Sequence, residues 1–263
     1  MASRIIHSQC MTNFRVFNGS GIQNSVQNIE VNHYPEITID LAIRKRDKWK
    51  TLSYGEYSIK DILDMLDEST SKLSGNNTVR AFQTAERLRR DFPDEDWLHL
   101  TGLIHDLGNI IYYWGEPKHL VSGENYVVGQ YSLLDSVNSI KLNANNPDCK
   151  CGIYNTETGL DDLILSWGHD EYMYHVLERN NSLLPKFCHR IIRYHSFYLW
   201  HTRGAYRQLT NRKDQQELMP LVKKFSEYDF YDKMDPVPNV SLLWETYYLG
   251  LCKKYGLDGK LRW

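Results

Sequence analysis

The chain places histidine and aspartate inside apolar runs at four separated points: Leu103-Ile104-His105-Asp106-Leu107, Trp167-Gly168-His169-Asp170, Arg193-Tyr194-His195-Ser196-Phe197 and Tyr228-Asp229-Phe230. Such groups are costly to bury unless they are paired or bind a metal. Three imidazoles and at least two carboxylates make a mixed nitrogen and oxygen donor set, suited to iron, manganese or zinc rather than calcium or magnesium. Because the donors run from His105 to Asp229, both halves of the chain must meet around one site. With no Pro/Gly/Ser-rich linker in 263 residues, this points to a single domain.

Hydrophobic spacing is helical rather than alternating. Residues 1 to about 55 lack clean periodicity and are expected to form an irregular N-terminal arm packed on a domain spanning 56–263. Ser58 with Asp61 reads as a capping-box variant, followed by Ile59, Ile62, Leu63 and Leu66 at i, i+3, i+4 and i+7. Thr78 is the expected cap of the next helix, whose buried face is Val79, Phe82 and Leu88. An acidic start at Asp94 predicts a helix through Trp97, Leu100, Leu103 and Ile104 to a Gly108 stop, with His105 and Asp106 in its last turn. Gly108 to Gly159 reads as a long, partly irregular connection. Helical spacing is expected again over Leu160–Trp167, Phe187–His195 and Leu218–Phe225, whose next turn reaches Asp229, and over Leu242–Tyr255. The expected fold is all-α.

The near balance of 31 Lys+Arg against 33 Asp+Glu excludes a globally basic nucleic-acid binder. The one basic run, Arg44 to Lys50, reads as a solvated segment. Five scattered cysteines lack the density of a disulfide-stapled domain, and Cys149-Lys150-Cys151 lacks the second pair of a zinc ribbon, so reduced thiols in a cytoplasmic protein are expected. No stretch approaches the ~20 apolar residues of a membrane span. No G-x-G-x-x-G or P-loop pattern occurs, so neither a nicotinamide nor an ATP site is indicated. Among the other histidines, His99 and His189 read as structural, whereas His119, His175 and His201 have polar neighbours and read as exposed. The tryptophans read as packing residues.

An H-D pair, two later histidines on apolar faces and a distant buried aspartate follow the order used by HD-domain metalloproteins. In detail the chain resembles the myo-inositol oxygenases from about Phe14 to Trp263. The segments that carry the likeness include Asp67-Glu68-Ser69, Ala81-Phe82-Gln83-Thr84-Ala85-Glu86, Asp96-Trp97-Leu98-His99-Leu100, His105-Asp106-Leu107-Gly108, Ser166 to Tyr174, Arg193 to Tyr198 and Tyr228-Asp229. The resemblance implies an HD-type helical fold holding two irons. His105, Asp106 and Asp229 would serve the first and His169 and His195 the second, with Asp106 bridging. It also implies a cyclic polyol and O2 as the small-molecule partners. The second iron would act as Lewis acid on two adjacent hydroxyls of inositol while the first handles dioxygen, and the ring would open to D-glucuronate. Substrate contacts carry over to Arg15, Asp67, Ser69, Gly123, Glu124, Ser196 and Lys233, with Asp106, Asn109 and Lys233 at the catalytic positions. No nucleic-acid or membrane partner is expected, and a monomer is favoured.

The departures from the family pattern fall in the same pocket. Arg80 stands where the family has a histidine ligand, and a guanidinium has no lone pair to offer iron. Asn109 replaces a lysine one turn after the H-D pair, and an amide cannot stabilise an alkoxide by charge. Glu124 lengthens an acidic arm by one methylene. Three readings follow. A water fills the vacated position in a weakened oxygenase, or Arg80 replaces the first iron by pairing with Asp106 and Asp229, leaving one metal on Asp106, His169 and His195. In the third, the chain binds a polyol or a protein without turnover.

Overall fold

The structure, a computed structural model, describes residues 37–70, 77–129, 153–229 and 237–263, with the backbone alone for 68–70. It is mainly helical, as expected. The first described helix, α1 (Ile39–Trp49), falls inside the segment read as an irregular arm. The Thr38 hydroxyl caps it by accepting from the Leu41 amide at 3.2 Å. Its weak apolar periodicity hid it, because it docks largely through charge. Lys45 Nζ, Lys48 Nζ and Trp49 Nε1 all donate to the buried carboxylate of Glu116, at 2.5, 2.9 and 2.8 Å. The basic run is therefore in part an anchor rather than a wholly solvated segment.

After the two-residue strand β1 (Glu56–Tyr57), α2 (Ile59–Thr70) begins with the expected capping box. The Ser58 amide donates to Asp61 at 2.7 Å and the Asp61 amide to the Ser58 hydroxyl at 3.1 Å. Helix α3 (Asn77–Asp91) buries Ala81, Phe82, Ala85 and Leu88. Thr78 lies within this helix and does not cap it; its hydroxyl donates to the Leu63 carbonyl, pinning α3 to α2. Helix α4 (Asp96–Ile104) packs on α3 and is buried on every side from Trp97 to Ile104. Burying each of its leucines contributes on the order of 1.5–3 kcal/mol.

Helix α4 ends one residue before His105, so the H-D pair lies beyond the helix and not in its last turn. Asp106 adopts φ −96°, ψ 0°, a sparsely populated conformation found at many active sites. A single 3-10 turn, Leu107–Asn109, leads into the short helices α5 (Ile110–Tyr113) and α6 (Lys118–Val121). Gly108 does not end a helix by a left-handed turn. It lets two backbones touch, since a Cβ there would stand 2.0 Å from the His169 carbonyl oxygen.

The helix expected over Leu160–Trp167 is not formed. A 3-10 turn covers Leu160–Asp162, and the chain then runs extended beside residues 126–128. The Ser166 amide donates to the Tyr126 carbonyl and the Val128 amide to the Ile164 carbonyl, both at 2.8 Å. Leu163, Leu165, Ser166 and Trp167 are buried and Ile164 partly so, an extended run that the helical spacing of Leu160, Leu163, Ile164 and Trp167 disguised.

Helices α7 (His169–Arg179) and α8 (Lys186–Tyr194) pack together and are joined by a bidentate Arg193–Glu171 pair at 2.6 and 3.0 Å. After α9 (Tyr198–His201), a π-helical turn at Asp214–Leu218 leads into α10 (Met219–Ser226). Asp229 lies three residues beyond α10. The final helical rod, α11 (Val240–Leu243) and α12 (Leu249–Lys254), is continuous through a π-turn at Trp244–Tyr248. Strand β2 (Leu261–Arg262) then pairs antiparallel with β1. Trp49, Trp97, Trp167, Trp200, Trp244 and Trp263 are all core residues, as expected, and Cys188 and Cys252 are buried free thiols. Cys10 and the Cys149–Cys151 pair lie outside the described residues. No described helix is long and apolar enough to cross a membrane.

Candidate metal centre

Three buried imidazoles are oriented by the same device. His105 Nδ1 donates to the Gly102 carbonyl at 2.8 Å, His195 Nδ1 to Ile192 at 2.7 Å, and His169 Nδ1 to Val121 at 2.8 Å. Fixing Nδ1 as the N–H side leaves each Nε2 facing inward, which is how metal-binding histidines are held. The rings pack edge to face, His105 against His195 at 5.0 Å and His169 against His195 at 5.3 Å.

Asp106 sits among the three Nε2 atoms. Its Oδ1 lies 3.1 Å from His169 Nε2 and 3.5 Å from His195 Nε2, and its Oδ2 lies 3.7 Å from His105 Nε2. The Ser196 hydroxyl is 3.4 Å from His169 Nε2 and 3.2 Å from His195 Nε2. Two donors bound to one ion at ~2.1 Å and roughly 90–110° stand about 3.0–3.5 Å apart. Asp106 Oδ1 thus stands at such a distance from both His169 and His195, and among the described residues His105, Asp106 and His195 present donor atoms close enough together to share one ion. His105 Nε2 and Asp229 Oδ1 stand 2.7 Å apart, at hydrogen-bond distance. Tyr198 donates to the other Asp229 oxygen at 3.4 Å.

The electrostatics favour positive charge at this centre. Burial lowers His105, but Asp229 and Asp106 more than reverse the effect and raise it to about 9. His169 is likewise lowered by burial and then driven to about 10 by Asp170 and Asp106. Burial works to raise Asp106, yet His105, His169 and His195 hold it well below the usual carboxylate range. Protons and a metal ion thus compete for the same nitrogen lone pairs. The fully buried Asp170 faces the opposite sides of two rings, 3.3 Å from His169 Nδ1 and 3.8 Å from His195 Nδ1, and accepts from Asn125 Nδ2 at 2.7 Å.

The centre opens into a cavity of about 530 Å³, large enough for a six-membered polyol. Its walls include Gly123, Glu124 and Ser196 from the expected substrate positions and Asn109 from the expected catalytic ones, together with Arg80. Arg80 is exposed on α3, and Gln83, Thr84 and Arg87 follow it on the same wall. Arg87 Nη1 donates to the Tyr228 carbonyl at 3.2 Å, fixing the residue before Asp229. The spacing Arg80, Gln83, Thr84, Arg87 is itself i, i+3, i+4, i+7, a polar stripe opposite the apolar one, and could have marked this wall in the sequence. Tyr198 and Ser122 were missed because a lone hydroxyl leaves no pattern.

Asp67 is not on the cavity wall; its Oδ1 accepts the Thr78 amide at 3.2 Å, between α2 and α3. Arg15, the Ser69 side chain and Lys233 lie outside the described residues. Among the remaining histidines, His99 is structural as expected, bonded to Phe92 and Tyr247, and His189 is bonded to Glu178. His201 is buried rather than exposed, because its Nε2 donates to the carbonyl of His195 at 2.9 Å. His119 and His175 are half-buried.

The myo-inositol oxygenase family model matches residues 23–263. The chain is 38% identical to the inositol oxygenase of Danio rerio over 98% of this chain and 95% of the relative. It is 39% identical to that of Rattus norvegicus, covering 86% and 82% of the two chains. It is also 40% identical to inositol oxygenase 1 of Arabidopsis thaliana, covering 89% and 78%.

Proposed function

Because this chain belongs to the myo-inositol oxygenase family, we propose that it is an iron-dependent oxidoreductase that opens the ring of myo-inositol, or of a related cyclic polyol, with O2, giving D-glucuronate from inositol. The observation that carries the reading is the triad of inward-facing Nε2 atoms around Asp106 at the base of a polyol-sized cavity. Asp106, His169 and His195 would hold an iron, whose chemistry is Lewis-acid binding of vicinal hydroxyls and activation of dioxygen.

The chain's own residues set the rest. Ser196, between the two histidines, offers a hydroxyl at the edge of the metal position. Glu124 offers a carboxyl on the cavity wall to receive a substrate hydroxyl, which needs a partner once buried. Tyr198 and Arg87 fix Asp229 and its neighbour, keeping that carboxylate turned toward His105.

Arg80 on the adjoining wall, a side chain with no lone pair to offer a metal, favours one firmly held iron over two. The test is anaerobic loading with ferrous iron, metal analysis, and inositol-dependent oxygen uptake with glucuronate as product. About one iron per chain with coupled uptake supports the reading. Loaded protein that consumes no oxygen with any cyclic polyol overturns it in favour of a binding protein. His195→Ala is expected to abolish iron retention.

A further inference from the structure

The loop Ser122–Asn125 is tied at both ends to the metal centre. On one side Ser122 Oγ donates to Asn109 Oδ1 at 2.8 Å, while Asn109 Nδ2 donates to the Asp106 carbonyl at 3.0 Å. On the other side the Asn125 amide donates to the Ser196 carbonyl at 3.0 Å, and its side chain reaches Asp170. Asn109 thus bridges the H-D turn and this loop. Between the two ties stands Glu124, whose carboxylate oxygens are both shielded from solvent and have no hydrogen-bond partner among the described residues. Glu124 lines the main cavity and also a second one of about 150 Å³ behind the loop, which shares Ser122 and Gly123 with it.

We propose that Glu124 is the proton acceptor for the polyol hydroxyl, with the smaller cavity as the route by which the proton leaves. The hydroxyl O–H bond breaks, its electron pair stays on the substrate oxygen, and the proton bonds to a Glu124 oxygen. Glu124 then gives the proton to water on the far side of the loop. This rests on the oxygenase reading above.

The other carboxylates of the centre are poorly suited to the task. Asp106 lies within 3.7 Å of three imidazole nitrogens and Asp229 bonds His105 and Tyr198, so both carboxylates are already engaged. Glu124 is different: burial pushes it up to about 7, Arg203 opposes this only in part, and an acceptor near neutrality suits general-base work. Besides Arg203, the charged or titratable groups around it are the imidazoles and carboxylates of the metal centre, Lys118, Arg80, Arg87, Tyr112, Tyr113 and Tyr198 on the main cavity, and His119 and Tyr126 on the smaller one.

The experiment compares iron-loaded wild type, E124Q and E124D in kcat, KM and pH profile. Wild-type kcat/KM is expected to rise with pH through about 7. E124Q should lose about 100-fold in kcat, lose that acid limb, and retain its iron. E124D should recover part of the rate with the limb restored, and it carries the same test should E124Q fail to fold. Infrared difference spectra of the wild type should show a carboxyl ionising near pH 7 that E124Q lacks. A changed KM with kcat and the acid limb intact, or no such carboxyl, overturns the acceptor role. An active wild type with an equally active E124Q rejects Glu124 alone, whereas a wild type silent on every cyclic polyol rejects the oxygenase reading itself.

Discussion

Gly108 and His169 meet backbone against backbone, and no side chain fits between them. The contact seats the H-D turn on the first residue of α7, which brings Asp106 Oδ1 to 3.1 Å from His169 Nε2. A methyl group at position 108 must push the two segments apart. Gly108→Ala is therefore expected to cost about 3 kcal/mol in stability and most of the metal affinity. Denaturation midpoints and metal analysis would show it; a stable variant with normal iron content would contradict the role given to this contact.

Arg80 lies on the cavity wall and cannot ligate a metal. Arg80→His should raise iron content from about one toward two per chain, and anaerobic metal counting with iron spectroscopy reads the change directly. Two irons already present in the wild type would remove the argument for a mononuclear centre.

Asp170 is buried behind His169 and His195, and Asn125 bonds one of its oxygens. Asp170→Asn keeps the size of the side chain and removes the charge that favours cationic or metal-bound imidazoles. The expected loss is about 10–100-fold in metal affinity, as for other groups that orient ligands. Chelator competition measures it, and an affinity unchanged within twofold would assign Asp170 to packing.

Glu116 binds three donors from α1, and although burial raises it, Lys45, Lys48 and Trp49 bring it below the ordinary glutamate range. A carboxylate lowered on folding stabilises at pH values above its unfolded pKa, and that contribution disappears as pH falls through and below the ordinary range. Glu116→Gln should cost roughly 1–3 kcal/mol at neutral pH, since the lysines retain access to water, and the gap to wild type should close in acid. Denaturation at pH 7 and pH 3 tests the sign; a gap that widens in acid would contradict it.

Where burial was periodic, the sequence was legible. The capping box at Ser58 and the stripes of α2, α8 and α10 are found where the pattern implied, and His105, Asp106, His169, His195 and Asp229 come together, although the H-D pair and Asp229 lie beyond the helix ends rather than on them. Local pattern failed where a partner distant in sequence decided the conformation. The amides and carbonyls of Ile164–Ser166 pair with residues 126–128, converting an apparent helix into an extended run. Helix α1 escaped notice because Glu116, some seventy positions later, supplies its anchor. The Asn109–Ser122 bond, which joins the H-D turn to the Glu124 loop, has no signature at all in a linear reading.

His105 and His195 each follow the last residue of a helix, and each bonds the carbonyl three positions back, Gly102 or Ile192. Each imidazole thus stoppers its own helix with one nitrogen and presents the other to the centre. Arg80, in contrast, occupies an exposed position well inside α3, where replacing a side chain leaves the backbone bonds untouched. Side chains around this centre therefore differ in how replaceable they are. One on a helix flank can drift away while the architecture endures, but one that terminates a helix cannot be exchanged without rewriting where that helix stops.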